Sequence, residues 1–101
     1  MTASLETHGD IEVVCDTTAL APGKMARLVF RPVVEVEPPF QVKILAPSGR
    51  AILDRVIRAL PTGEPQSPPP IAFAVNEGEY KIAIAQLHGS ARGEASLRVR
   101  R

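Results

Sequence analysis

Aromatic residues and cysteines are scarce in this sequence. Aromatic residues make up 4% of the chain, tryptophan is absent, and Cys15 is the single cysteine. One cysteine cannot form an intrachain disulfide, so the fold does not require an oxidising compartment. With so few large rings, the core has to be built mainly from Val, Ile, Leu and Ala.

The chain also lacks an excess of charge of either sign and any long apolar run. Its 12 basic and 11 acidic residues are interspersed, with a net charge of +1. This balance gives no electrostatic reason to expect nucleic acid as a partner. No segment has the character of a signal peptide or a membrane span, so we expect no membrane insertion. A full-length chain would then be cytoplasmic and a domain excised from a larger protein extracytoplasmic, which leaves the compartment open.

The length and composition predict one globular domain. The 101 residues are 45% hydrophobic and 23% charged, which is ordinary for a folded protein. We therefore expect a single domain over 1–101. Residues 1–9 precede the first strand pattern and are expected to form a flexible N-terminal segment.

Short segments of alternating apolar residues recur about every ten residues, separated by Gly and Pro. This spacing is typical of an antiparallel sandwich or barrel. The fourth segment is ambiguous, because its apolar spacing also fits one face of a helix; in an all-β context we favour an irregular strand. The seven predicted strand segments read DIEVVCD, KMARLVFRP, FQVKILA, RAILDRVIRAL, IAFAV, YKIAIAQL and EASLRVR.

The stretch NEGEYKIAIA places the only tyrosine, Tyr80, two residues after Gly78 at the start of a late strand. This arrangement resembles the tyrosine corner of immunoglobulin-like sandwiches, in which the hydroxyl of such a tyrosine bonds back to nearby backbone. Gly78 would supply a backbone angle that other residues avoid. A half-buried tyrosine without that hydrogen bond is the alternative.

The number and spacing of strands extend this resemblance over nearly the whole chain. Unlike antibody domains, the sequence has no cysteine pair and no tryptophan. It is similar to bacterial immunoglobulin-like or fibronectin type III-like domains, and VKILAPSGRA followed by GEYKIAIA is similar to repeats of macroglobulin-type domains. The resemblance implies an immunoglobulin-like β-sandwich of about seven antiparallel strands in two sheets. It also implies a role as a spacer, an adhesion module or an accessory domain of a larger protein or virion.

No residue pattern indicates catalysis. His8 and His88 adjoin Gly9 and Gly89 in separate turn-like segments, and a metal site would need more ligands of the right kind. Cys15 shares the inward phase of its predicted strand, which argues against a nucleophilic role. We therefore predict no enzymatic activity, no catalytic residues, no metal and no cofactor.

The outward positions of the sixth predicted strand are unusually apolar. They read Lys81, Ala83, Ala85 and Leu87, and an immunoglobulin topology would place Leu45 beside them. Outward positions on a solvated strand are usually polar. We therefore predict an interaction face formed by Leu45, Ala83, Ala85 and Leu87. In the alternative interpretation, long side chains of neighbouring strands shield a central strand.

These patterns favour a non-catalytic module for protein–protein interaction or structural spacing. Its partner would be another protein, a neighbouring domain or a second copy in a homo-oligomer. The alternative is a carbohydrate-binding or adhesion module of a larger surface protein or virion. Sugar platforms expose aromatic rings, whereas all four aromatic residues occupy predicted inward positions: Phe30, Phe40, Phe73 and Tyr80.

Overall fold

The computed structural model describes residues 2–15 and 25–100, and the regular structure in these ranges is entirely β-strand. The predicted all-β class is confirmed. No helix in this part of the chain has the length and apolar character that a membrane crossing needs. The strands are β1 (Thr2–Gly9), β2 (Ile11–Cys15), β3 (Met25–Pro32), β4 (Phe40–Leu45), β5 (Ala51–Ile57), β6 (Ile71–Ala74), β7 (Gly78–Gln86) and β8 (Arg92–Arg100).

The strands form two antiparallel sheets. The larger sheet has five strands in the order β1-β8-β7-β4-β5, and the smaller has three in the order β2-β3-β6. Three of the six neighbouring pairs are not consecutive in the chain, and the chain passes repeatedly from one sheet to the other. This connectivity places β7 in the middle of the larger sheet, with β4 on one side and β8 on the other.

One hydrophobic core lies between the inner faces of the two sheets. Strand side chains alternate between the two faces, so β2, β3, β4, β6, β7 and β8 contribute every second residue to this core. Apolar residues from both sheets belong to a single buried cluster. Five of them, one from each of five strands, are at most 1% exposed: Ile11, Leu28, Ile44, Ile82 and Leu97.

The N-terminal segment is a strand rather than the flexible segment expected over 1–9. It pairs with β8 along its whole length, from Thr2 opposite Arg100 to Gly9 opposite Gly93. Its inward positions contain one large apolar residue, Leu5, among small and polar residues. Such a weak alternation is typical of an edge strand that is only partly buried. The chain therefore has eight strands in the described ranges, and the predicted number of seven is wrong by this one.

The ambiguous fourth segment is strand β5 and not a helix. Its register against β4 shifts, because Ile44 pairs with Leu53 while Leu45 pairs with Ala51. Ile52 is left without an opposing residue, which is a β-bulge. The bulge accounts for the adjacent apolar residues Ile52 and Leu53, and the exposed Val56 is an outward apolar residue beside the inward Ile57. Together they explain why the sequence lacked a clean period of two.

The chain crosses from the larger to the smaller sheet at Gly9 and Asp10. The Asp10 N–H donates to the carbonyl oxygen of Arg92 at 2.7 Å. A Cβ on Gly93 would lie 2.1 Å from the carbonyl oxygen of Ile11, and a Cβ on Gly9 would lie 2.5 Å from that of Arg92. Gly9 also has a positive φ of 104°. Two backbones pass so closely here that both positions require glycine.

Candidate functional site

Tyr80 lies near the start of β7, where the chain enters the larger sheet from β6. Its side chain is 5% exposed, and its hydroxyl accepts a hydrogen bond of 2.9 Å from the backbone N–H of Asn76. Its ring packs against Phe73, with ring centroids 5.6 Å apart. The same side chain therefore fills core volume and satisfies a backbone donor.

Gly78 is constrained both by its backbone angle and by its neighbour. Its φ is +139°, and a Cβ at this position would lie 2.4 Å from Cγ of Pro47. Pro47 belongs to the turn between β4 and β5, so the corner packs directly on an adjacent turn. Gly78 and Tyr80, the residues singled out from the sequence, thus shape one end of the sandwich.

The outward side chains of the larger sheet form a continuous surface, which we call the outer face. Ala83 and Ala85 lie on its middle strand, β7, and Leu45 lies beside them on β4. Leu87 follows the end of β7 in a turn, where its N–H donates to the carbonyl oxygen of Pro39 at 3.0 Å. Three of the four residues predicted for the interaction face therefore lie on strands of one sheet face, and Leu87 lies beyond the strand.

A depression of about 240 Å³ lies in the middle of the outer face. Small side chains at Ala83 and Ser96 line it together with the long side chains of Lys43, Lys81 and Glu94. Because the small side chains end close to the backbone while the long ones extend past them, the floor is low and the rim is charged. The depression thus has a floor of small side chains, Ala83 and Ser96, and a rim that carries two cations and one anion.

Strand pairing aligns five residues in one row across the outer face, which we call the central row. From β1 to β5 it consists of His8, Glu94, Ala83, Lys43 and Asp54. Since adjacent strands are about 4.8 Å apart, Lys43 and Glu94 lie about 10 Å apart on either side of Ala83. The turn-like position predicted for His8 is wrong, because β1 continues to Gly9. The central row was missed because its alignment depends on strand register.

The ionic contacts of the outer face are concentrated at one end. Glu79 lies 3.3 Å from Nζ of Lys81 and 3.7 Å from Nε of Arg98. The hydrogen bond from Lys81 and then its positive charge lower the pKa of Glu79 below its ordinary value. In contrast, Lys43 and Glu94 make no ion pair with any residue in the described part of the chain.

The side-chain positions also bear on metal sites and on aromatic carbohydrate platforms. Within residues 2–15 and 25–100, no three His, Cys, Asp or Glu side chains are grouped so that they could hold a metal ion. The chain has only four aromatic residues, and the structure buries all of their rings: Phe30, Phe40, Phe73 and Tyr80.

Comparisons of the chain with protein-family models, with curated proteins and with solved structures found no match. Its function is therefore inferred from the fold and the outer face alone.

Proposed function

We propose that the chain is a non-catalytic β-sandwich module that binds another protein through the outer face. The observation that carries this proposal is the presence of Ala83 and Ala85 at outward positions of the middle strand. Polar residues normally occupy such positions when water covers a sheet. Apolar side chains grouped in the middle of a sheet face are removed from water when another surface covers them.

The strand arrangement supports placing the module in the immunoglobulin-like or fibronectin type III-like class. In immunoglobulin domains, strands G, F and C are neighbours in one sheet. Here the last two strands and β4 are neighbours in the corresponding order β8-β7-β4, with β5 following beside β4. The hydrogen bond between Tyr80 and Asn76 has the geometry of a tyrosine corner. Because a fold does not determine function, the binding role depends on the outer face and not on this class.

A neighbouring domain of a longer chain would cover the outer face as well as a separate protein would. In both cases the partner has to supply a surface that fits the floor of the depression. It also has to supply charges opposite to those of Lys43 and Glu94. A structural spacer that docks on a neighbouring domain would therefore use the same surface, and its partner would belong to the same polypeptide.

Site-specific photo-crosslinking in the cells that naturally produce the protein tests this proposal. A benzoylphenylalanine at position 83 should give a discrete crosslink to a second polypeptide or, for a neighbouring domain, within a longer chain, as identified by mass spectrometry. The matched control places the same residue at Ala72, an exposed alanine on β6 of the smaller sheet. Replacing Ala85 by Glu should reduce crosslinking from position 83. Equal crosslinking from positions 83 and 72, or none from position 83, would refute the proposal.

A further inference from the structure

We infer that the outer face binds a second copy of this chain, in a symmetric dimer whose two-fold axis runs along β7. This inference rests on the proposed function, because it identifies the protein that covers the outer face. It is based on the distribution of charge in the central row and on the two side chains there that have no ionic partner within residues 2–15 and 25–100 of their own chain.

The two residues that flank Ala83 in the central row, Glu94 and Lys43, carry opposite charges. Glu94 and His8 lie on the side of β8, and Lys43 and Asp54 lie on the side of β4. A two-fold axis along β7 places β4 of one copy over β8 of the other. Lys43 then faces Glu94 of the second copy, and the symmetry forms this contact twice.

The remaining positions of the row agree with the same axis. Ala83 faces its own copy, so two small side chains lie opposite each other in the middle. The outermost residues also match, because His8 of one copy faces Asp54 of the other across the row. A symmetric interface of this kind has to be self-complementary, and here the self-complementarity extends over all five positions of the row.

The charge pattern also selects the orientation of the axis. A two-fold axis along the central row would place each residue opposite its own copy, with Lys43 against Lys43 and Glu94 against Glu94. Such like-charge contacts oppose association, whereas the axis along β7 makes both contacts attractive. The strand register therefore favours a two-fold axis along β7 over one along the central row.

The geometry of stacked sheets allows these contacts to form. Sheets that pack face to face lie about 10 Å apart, a gap that a lysine and a glutamate side chain can bridge together. Lys43 and Glu94 are both exposed and make no ion pair within the described chain. The depression of about 240 Å³ over Ala83 leaves room for the long side chains of the second copy.

Lys81 opposes this dimer. It lies on β7 and therefore close to the axis, where it faces its own copy. Its Nζ is 3.3 Å from Glu79, and its side chain is 64% exposed. We therefore expect the Lys81→Gln substitution to strengthen the dimer, whereas substitutions at Lys43 or Glu94 should weaken it. An axis along β7 places Lys81 opposite its own copy. A stronger dimer in this variant, together with weaker dimers in the Lys43 and Glu94 variants, would therefore identify this axis.

The size of the face indicates a weak dimer. Five strands, with about six residues of each in contact, give a face of roughly 20 × 20 Å, or ~400 Å² per copy. Stable complexes usually bury about 800 Å² per partner. We therefore expect a dissociation constant on the order of 100 µM, with association that weakens as salt is added.

Sedimentation velocity of the purified chain between about 10 µM and about 1 mM covers the expected range of association. Lys43→Glu and Glu94→Lys each turn two attractive contacts into repulsive ones, so each should raise the dissociation constant at least about 10-fold. Arg58→Glu and Glu64→Lys make the same changes of charge outside the outer face and should leave association unchanged. Circular dichroism confirms that each variant is folded.

Mixing the two variants provides the sharpest test. In a mixed dimer of Lys43→Glu with Glu94→Lys, one contact is reversed in sign and the other is native, so both are attractive. The mixture and the double variant should therefore associate about as strongly as the original chain, although each single variant alone does not. A folding defect cannot produce this recovery. A mixture that stays monomeric would overturn the inference.

The outcomes separate the dimer from the broader proposal. A crosslink from position 83 to a second copy, together with dimerisation of the pure chain, supports both. A pure chain that remains monomeric at about 1 mM overturns the dimer, while a crosslink to a different polypeptide would still support the proposed function. The absence of any crosslink from position 83 overturns the proposed function itself.

Discussion

Two of the corners at which the chain passes between the sheets are held together in opposite ways. At the corner between β1 and β2, two backbones lie so close that neither Gly9 nor Gly93 has room for a side chain. At the corner between β6 and β7, the Tyr80 hydroxyl accepts a hydrogen bond from the Asn76 N–H. One corner therefore depends on the absence of side chains and the other on the presence of one.

This difference determines how each corner should respond to substitution. A steric corner fails when atoms are added, because the surrounding backbone has to move to make room. When the acceptor of a hydrogen-bonded corner is removed, the cost is limited to leaving one N–H without its partner, since the ring still packs in the core. We therefore expect the first kind of change to destabilise the fold more than the second.

The largest effect is expected for Gly93→Ala. The added Cβ would lie 2.1 Å from the Ile11 carbonyl oxygen, so the crossing strands have to separate. We expect a loss of about 3 kcal/mol in the free energy of unfolding, measured by urea denaturation. Gly49→Ala is the control, because Gly49 has a φ of +89° but no atom within 4 Å of its Cβ position. It should cost only about 1 kcal/mol of the free energy of unfolding. Equal losses in the two variants would show that the close approach of the two backbones at Gly93 adds nothing to the cost of the substitution.

Tyr80→Phe should have a smaller effect. The variant keeps the ring contact with Phe73 but leaves the Asn76 N–H without its acceptor at 2.9 Å. We expect a loss of about 1 kcal/mol in the free energy of unfolding. Tyr80→Leu also removes the ring and should cost about 1–2 kcal/mol more, which separates packing from hydrogen bonding. If Tyr80→Phe unfolds at the same urea concentration as the original chain, the hydroxyl does not stabilise this corner.

The two corners also differ in how far the sequence predicts them. A single tyrosine two residues after a glycine is a local pattern, so Gly78 and Tyr80 can be identified without the fold. The contact of Gly93 with Ile11 joins residues far apart in sequence and involves only backbone and a missing Cβ. Glycine is common in turns for other reasons, so nothing in the sequence at Gly93 or Ile11 indicates that these two residues are in contact.

The outer face shows the same division between local and long-range information. Alternation along one strand was enough to identify Ala83 and Ala85, and strand order in the expected topology placed Leu45 beside them. The central row requires the register of five strands, and one of these strands is β1, whose weak alternation concealed it. A period of two identifies which residues point outward, whereas pairing between distant strands determines which of them are neighbours.

The smallest effect should come from Glu79, which lies between Gly78 and Tyr80 but makes exposed ionic contacts. The hydrogen bond from Lys81 and its charge, followed by the charge of Arg98, lower the pKa of Glu79. A carboxyl whose pKa is lower in the folded state stabilises the fold above its unfolded pKa, and this contribution is lost as the pH falls through the folded pKa. The carboxylate is solvated, so screening should keep its contribution small.

Glu79→Gln should therefore lower the urea midpoint at about pH 7 by less than Tyr80→Phe does, and the difference from the original chain should shrink at about pH 3. Glu37→Gln, which removes an exposed carboxylate outside the strands, is the control for the loss of one negative charge. A deficit in Glu79→Gln that is the same at both pH values would mean that packing, and not charge, is responsible. A deficit larger than that of Tyr80→Phe would mean that surface ions hold this corner more strongly than the buried hydroxyl does.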